Sequence, residues 1–137
     1  MKQTFITGMV FAGILLFLSL FSVFVESADI PELKEDKGLI VFYRENKFSG
    51  GAIKFNLHHD GKPIGALKNG TMMTLFLEPG DHTFSSKVIS EDSLRIAVEA
   101  GKIYYVEGTV QMGIFAGRPH LASVSESKAK KALKKIK

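Results

Sequence analysis

The fold class follows from residues 53–67, which are Ile53-Lys-Phe-Asn-Leu-His-His-Asp-Gly-Lys-Pro-Ile-Gly-Ala-Leu67. From Ile53 to His58 apolar and polar side chains alternate, which is the pattern of a half-buried β-strand. Asp60-Gly61 then supplies a tight turn that tolerates positive φ, and the chain returns through a second short strand. Because proline cannot donate a hydrogen bond to a ladder, Pro63 places this return strand at a sheet edge.

The same pattern of short strands and tight turns extends in both directions along the chain. Residues 38–43 form a continuous apolar run, typical of a strand that is covered on both faces. Alternating segments continue to Val124, separated by short turns such as Asn69-Gly70 and Glu78-Pro79-Gly80-Asp81. Short strands at regular intervals, with no helix between them, predict an all-β fold. We expect a single antiparallel β-sandwich of about seven or eight strands.

The first segment of the chain has a different composition. Residues 5–25 carry no charge, whereas Lys2 precedes them and Glu26 follows. This pattern predicts a signal peptide over residues 1–27 or, if it is not cleaved, a membrane anchor. We therefore expect export to the bacterial periplasm or cell envelope, with residues 5–25 anchoring the uncleaved form in the inner membrane. Residues 28–37 are interpreted as a linker and 38–125 as the β-sandwich domain.

The net charge of +4 comes from the end of the chain. Residues 128–137 contain six lysines and no acid, so the stretch 28–127, with 11 basic and 13 acidic residues, carries 11 − 13 = −2. Because the basic character belongs to the tail, no nucleic-acid partner is expected for the domain.

The tail itself has the spacing of a helix. Apolar residues recur at i, i+3, i+4 and i+7, which predicts a short basic helix over 126–137 with Ser125 or Ser127 as its N-cap. Two interpretations stay open. The helix can dock on the sandwich through Leu133 and Ile136, or its lysines can bind anionic lipid or a cell-wall polymer. The lysines concerned are Lys128, Lys130, Lys131, Lys134 and Lys135.

Tyrosines and histidines are the remaining candidates for a site. Tyr43 and Tyr105 could contact a sugar or a peptide, or could pack within the sandwich. Since neighbouring strand residues point to opposite faces, only one of Tyr104 and Tyr105 can face the core. The same rule separates His58 from His59. Together with Asp60 and Asp81, the four histidines could in principle form a metal site. His82 and His120 are the candidates for it, although the spacing of the histidines favours solvated turn residues.

Several kinds of chemistry are excluded or unsupported. The chain has no cysteine, so disulfides, thiol catalysis and lipid attachment through cysteine are ruled out. The serines lack the Gly-x-Ser-x-Gly setting of a nucleophile elbow. No helix follows the glycine pairs to complete a phosphate-binding loop. We therefore expect no catalytic residues and no cofactor.

Four motifs follow one another along the chain. They are Phe42-Tyr43-Arg44; Asp60-Gly61-Lys62-x-Ile64-Gly65-x-Leu67-x-x-Gly70; Leu77-x-Pro79-Gly80-x-His82; and Ala100-Gly101-Lys102-x-Tyr104-Tyr105-Val106. They resemble, over about residues 37–126, a bacterial family of small exported proteins catalogued as domain of unknown function 2846. The second and third also resemble surface β-domains with a Pro-Glu-Gly-Ala signature. The resemblance implies a β-sandwich and export, but no activity.

These observations lead to one expected function and two alternatives. The expected function is that of a non-enzymatic, exported binding or structural module of the cell envelope. One alternative is a membrane-tethered accessory subunit that docks on an envelope protein complex. The other is a metal-assisted enzyme that uses the histidines. Many members of the family resemble lipoproteins, but that mode of anchoring is not available to a chain without cysteine.

Overall fold

Eight β-strands and one helix make up the described part of the chain. The computed structural model describes residues 30–87, 91–112 and 117–136, so the predicted signal or anchor segment lies outside it. The elements are β1 (Gly38–Tyr43), β2 (Phe55–His59), β3 (Lys62–Leu67), β4 (Met72–Leu77), β5 (Gly80–Lys87), β6 (Glu91–Val98), β7 (Ile103–Met112), β8 (Gly117–Val124) and α1 (Glu126–Leu133).

The strands form two four-stranded sheets. The first sheet has the order β4-β1-β7-β8, and the second has the order β3-β2-β5-β6. The inner core between them contains Ile40 and Phe42 from the first sheet and Phe55, Leu57 and Phe84 from the second. The all-β fold with eight strands is therefore confirmed.

One strand pair corrects the prediction of a wholly antiparallel sandwich. β1 pairs with β7 in parallel, with Tyr43 opposite Glu107, whereas every other described pair is antiparallel. The chain changes sheet between β6 and β7, and it enters β7 alongside β1 in the same direction. Alternation of side chains reports which faces of a strand are buried but not which way its neighbour runs.

The predicted hairpin forms at residues 55–67. Asp60 has φ of 47° and Gly61 of 83°, so both turn residues adopt the left-handed conformation that a two-residue hairpin of type I′ requires. β3, which carries Pro63, lies at an edge of the second sheet as expected.

α1 covers the outer face of the first sheet. Ser125 caps the helix by accepting a hydrogen bond from the Lys128 N–H at 3.3 Å, and the helix ends at Leu133, four residues before the predicted end. The outer core beneath it combines side chains of the helix with alternate side chains of β1 and β7. β1 is thus buried on both faces, as its continuous apolar run predicts. The buried members are Leu39, Val41, Tyr43, Tyr105, Ala129, Ala132 and Ile136.

Candidate functional site

Three polar side chains meet at one end of the second sheet. His59 ends β2, Asp60 is the first residue of the following turn, and His82 lies near the start of β5. β2 and β5 are adjacent antiparallel strands with His59 opposite Phe84, so this pairing carries His82 to the hairpin tip. We call these three residues the histidine cluster.

Three atoms of the histidine cluster form a small triangle. Nε2 of His59 lies 2.7 Å from Nδ1 of His82, and Oδ2 of Asp60 lies 3.2 Å from the first nitrogen and 3.8 Å from the second. The two imidazoles are half-buried, whereas the carboxylate is exposed. All three atoms carry lone pairs when the imidazole nitrogens are unprotonated, which is the donor set of a site for a transition-metal cation.

Backbone and ring contacts hold each member of the cluster in place. Nε2–H of His82 donates to the carbonyl oxygen of Glu78 at 2.7 Å, which leaves Nδ1 facing the cluster. Oδ1 of Asp60 accepts the Thr83 N–H at 2.9 Å, which leaves Oδ2 facing the two imidazoles. The His59 ring stacks on Phe84, with 5.2 Å between centroids.

Hydrogen bonding also sets the charge of the Asp60 carboxylate. The Thr83 N–H, followed by the two neighbouring imidazoles, lowers the pKa of Asp60 below its usual value. The carboxylate therefore stays ionised around neutral pH, as a ligand for a cation must.

The structure does not bring the two predicted metal candidates together. His82 belongs to the histidine cluster, whereas Nδ1 of His120 lies 3.2 Å from Asp92 Oδ2 and outside that cluster. His58 is also outside it, as the alternation rule predicts. The sequence did not indicate which histidine approaches His82, since the β2–β5 register that brings His59 to it has no local signal.

The lysines occupy the outward side of α1. Ala129, Ala132 and Ile136 are buried against the sheet, which supports the docked interpretation of the tail. The five predicted lysines are exposed: Lys128, Lys130, Lys131, Lys134 and Lys135.

Two of these lysines are held by carboxylates. Nζ of Lys128 lies 2.9 Å from Glu107, and Nζ of Lys130 lies 2.7 Å from Glu126. Within the described residues, no carboxylate pairs with Lys131, Lys134 or Lys135. We call these last three the lysine face.

The tyrosine prediction is corrected by the structure. Tyr43 is 0% exposed and Tyr105 only 4%, since both lie in the outer core under α1. Neither can contact an external ligand. Tyr104 and Tyr105 do point to opposite faces, and the Tyr104 hydroxyl accepts the Glu99 N–H at 2.8 Å. Among the residues that the structure describes, the exposed aromatic side chain is instead Phe48, in the loop between β1 and β2, which the sequence patterns did not single out.

Comparison with known proteins places the chain in a family. A family model described as "Protein of unknown function (DUF2846)" matches residues 34–120. The chain belongs to the DUF2846 family. The matched range of this DUF2846 protein runs from before β1 into β8 and includes the whole histidine cluster. The resemblance that the sequence motifs indicated is thereby confirmed.

A bacterial relative supports the same assignment. An uncharacterized protein of Haemophilus influenzae is 35% identical to this DUF2846 protein over 107 residues, which are 77% of this chain. The aligned part spans 62% of the length of that relative. In the part of the DUF2846 chain that the structure describes, no helix combines the length and apolar character needed to cross a membrane.

Proposed function

We propose that the protein is a non-enzymatic, exported binding module of the cell envelope that rests on anionic phospholipid through the lysine face. The observation that carries the proposal is the burial of Ala129, Ala132 and Ile136, which fixes α1 on the first sheet and turns its lysines outward. A helix held in this way presents charge without having to fold on the surface it meets.

The position of the lysines defines the mode of contact. Lys131 lies on the side of α1 opposite to its buried stripe, and Lys134 and Lys135 follow in the exposed turn after the helix. Because the apolar stripe is already buried against the sheet, the helix has no large apolar surface to insert into a bilayer. Binding is therefore electrostatic, weak and sensitive to salt.

Vesicle binding tests the lysine face. The full chain is incubated with vesicles of phosphatidylglycerol and, separately, of phosphatidylcholine, and bound protein is measured by co-sedimentation. We expect a preference for phosphatidylglycerol that weakens several-fold as salt rises from about 0.05 to 0.5 M, because the Debye length falls. The lysine variants described next leave Lys2 and the uncharged residues 3–25 unchanged, so any contribution of the leader to binding is the same in every protein compared.

Two triple variants that have the same net charge distinguish the effect of where the lysines lie from the effect of net charge. Lys131→Glu with Lys134→Glu and Lys135→Glu should abolish the preference for phosphatidylglycerol. Lys62→Glu with Lys68→Glu and Lys87→Glu changes three exposed lysines of the second-sheet region, and should keep most of it. Equal losses in both variants would mean that net charge alone drives binding. A wild-type chain that binds a soluble phosphate-bearing wall polymer but not the vesicles would also overturn the choice of lipid.

Export is tested separately by intact mass. The native protein is recovered from membrane and soluble envelope fractions, and each mass is compared with the 15.1 kDa of the full chain. A mass short by residues 1–27 in the soluble fraction indicates a cleaved signal, and the full mass in the membrane fraction indicates a retained anchor. Recovery of the full-length chain from the cytoplasm alone would contradict export.

A further inference from the structure

We propose that the histidine cluster is a binding site for a divalent transition-metal cation, with Zn²⁺ the best-matched ion. The ligands are Nε2 of His59, Nδ1 of His82 and Oδ2 of Asp60. The inference rests on the geometry of these three atoms and on the groups that orient them, and it is independent of the lysine face.

The size of the triangle fits a small cation. Zinc bonds of about 2.0–2.1 Å in a tetrahedral arrangement place neighbouring ligand atoms roughly 3.3 Å apart. The observed separations of 2.7, 3.2 and 3.8 Å bracket that value.

The outer contacts are those of a metal site. A histidine that binds a metal through one ring nitrogen usually donates the other N–H to a carbonyl or carboxylate, which fixes its tautomer and orientation. His82 has this arrangement, since its Nε2–H donates to the carbonyl of Glu78. Asp60 is fixed in a comparable way by the Thr83 N–H. Without a cation, Nε2–H of His59 donates to Nδ1 of His82, so this proton must leave Nε2 when a cation binds.

The ligand types select the class of cation. Imidazole nitrogen suits Zn²⁺, Cu²⁺ and Ni²⁺, whereas Ca²⁺ and Mg²⁺ prefer an all-oxygen shell that the cluster does not offer. The side chains of His59 and His82 are 21% and 14% exposed, and that of Asp60 is 52% exposed, so a cation can enter from solvent. Three protein ligands leave a fourth position for water or for a group of a ligand.

A bound cation would join two parts of the second sheet. His59 and Asp60 belong to the tip of the β2–β3 hairpin, and His82 belongs to β5. Coordination would add a further link between the hairpin tip and β5, next to the pairing of His59 with Phe84. Binding of the cation to the folded state alone must therefore raise the thermal midpoint.

Equilibrium dialysis of the full chain with ZnCl₂ tests the site. Protein freed of metal with a chelator should take up one Zn²⁺ per chain, and its thermal midpoint should rise as Zn²⁺ is added. His82→Ala should weaken binding at least ~10-fold, since even outer-shell changes at metal sites cost 10- to 100-fold. His120→Ala is the matched control and should bind like the wild type, because His120 lies outside the cluster.

A second variant and an NMR spectrum distinguish loss of a metal ligand from loss of folding. His59→Phe keeps a ring to stack on Phe84 but removes the nitrogen ligand, so it should stay folded and lose Zn²⁺. In the wild type, Zn²⁺ should shift the imidazole resonances of His59 and His82 and leave those of His58 and His120 in place. A wild type that takes up no Zn²⁺, a His120→Ala variant that loses as much binding as His82→Ala, or shifts confined to His58 and His120 would overturn the proposal.

Discussion

Arg44 carries a buried positive charge immediately after β1. Its guanidinium donates to the carbonyl oxygens of Gly50 at 2.6 Å, Leu67 at 3.3 Å and Ile53, and it lies 5.1 Å from the centre of the Phe55 ring. Burial lowers the pKa of Arg44. The residue therefore fastens the loop between β1 and β2 to the end of β3, which is a structural use of the Phe42-Tyr43-Arg44 motif.

Tyr43 forms a second buried polar contact on the same strand. Its hydroxyl donates to Oε2 of Glu107 at 3.1 Å, and Glu107 is also paired with Lys128 of α1. Burial, followed by the negative charge of Glu107, raises the pKa of Tyr43 above its usual value. The folded state therefore favours the protonated hydroxyl.

Tyr43→Phe should lower the free energy of unfolding at about pH 8 by roughly 1 kcal/mol, because one buried hydrogen bond is lost. A pKa raised by folding contributes stability below the unfolded value of about 10, and that contribution disappears as pH rises above it. The difference between wild type and variant should thus shrink at about pH 11. Denaturant unfolding at both pH values checks this, and a difference that widens at high pH would contradict the raised pKa.

Among the secondary-structure elements, the helix α1 is part of the outer core. Ala132 is 3% exposed and faces the outer core, whereas its neighbour Lys131 is exposed. The small alanine side chains let the helix approach the first sheet closely, and the helix in turn covers Tyr43 and Tyr105.

Ala132→Glu should reduce the free energy of unfolding by roughly 2–3 kcal/mol, because it forces a charge into the outer core or displaces the helix. Lys131→Glu makes an acidic side chain at the adjacent exposed position and should stay within about 0.5 kcal/mol of the wild type. Thermal and denaturant unfolding of both variants measure the difference. Equal stabilities would show that α1 does not contribute to the core.

The elements also show what sequence reasoning can reach. Alternation and turn residues located the strands and the Asp60-Gly61 hairpin and limited the helix cap to Ser125 or Ser127, because each signal lies within a few neighbouring residues. The parallel partner of β1 and the meeting of His59 with His82 depend on residues far apart in the chain. Tyr105 was misplaced for a related reason. The alternation of side chains predicted which face of β7 carries Tyr105, but it did not show that α1 would cover that face.

In the molecule as a whole, one carboxylate links an edge strand of the first sheet to an edge strand of the second. Asp92 on β6 accepts the Leu121 N–H of β8 at 2.7 Å and lies next to His120. β6 and β8 are edge strands of different sheets. The aspartate thus satisfies a backbone donor that β8 would otherwise direct away from any strand of its own sheet.

Asp92→Ala should lower the free energy of unfolding by about 1–2 kcal/mol, since it removes the acceptor from a partly buried N–H. It should also increase hydrogen exchange at the Leu121 amide more than at amides of β7. Glu91→Ala, at the exposed neighbouring position of β6, is the control and should change neither quantity. Unchanged protection of Leu121 in Asp92→Ala would show that the link between the sheets has no effect on stability.

The parallel pairing of β1 with β7 also bears on the time course of synthesis. Tyr43 and Glu107 are partners 64 positions apart, so β1 leaves the ribosome long before its second neighbour does. At about 5–20 residues per second, roughly 3–13 s pass in which the most apolar strand of the domain has an unsatisfied edge. A nascent chain that ends before β7 cannot close either core. Completion of the fold is therefore a late, slow event governed by contacts that are distant in the chain.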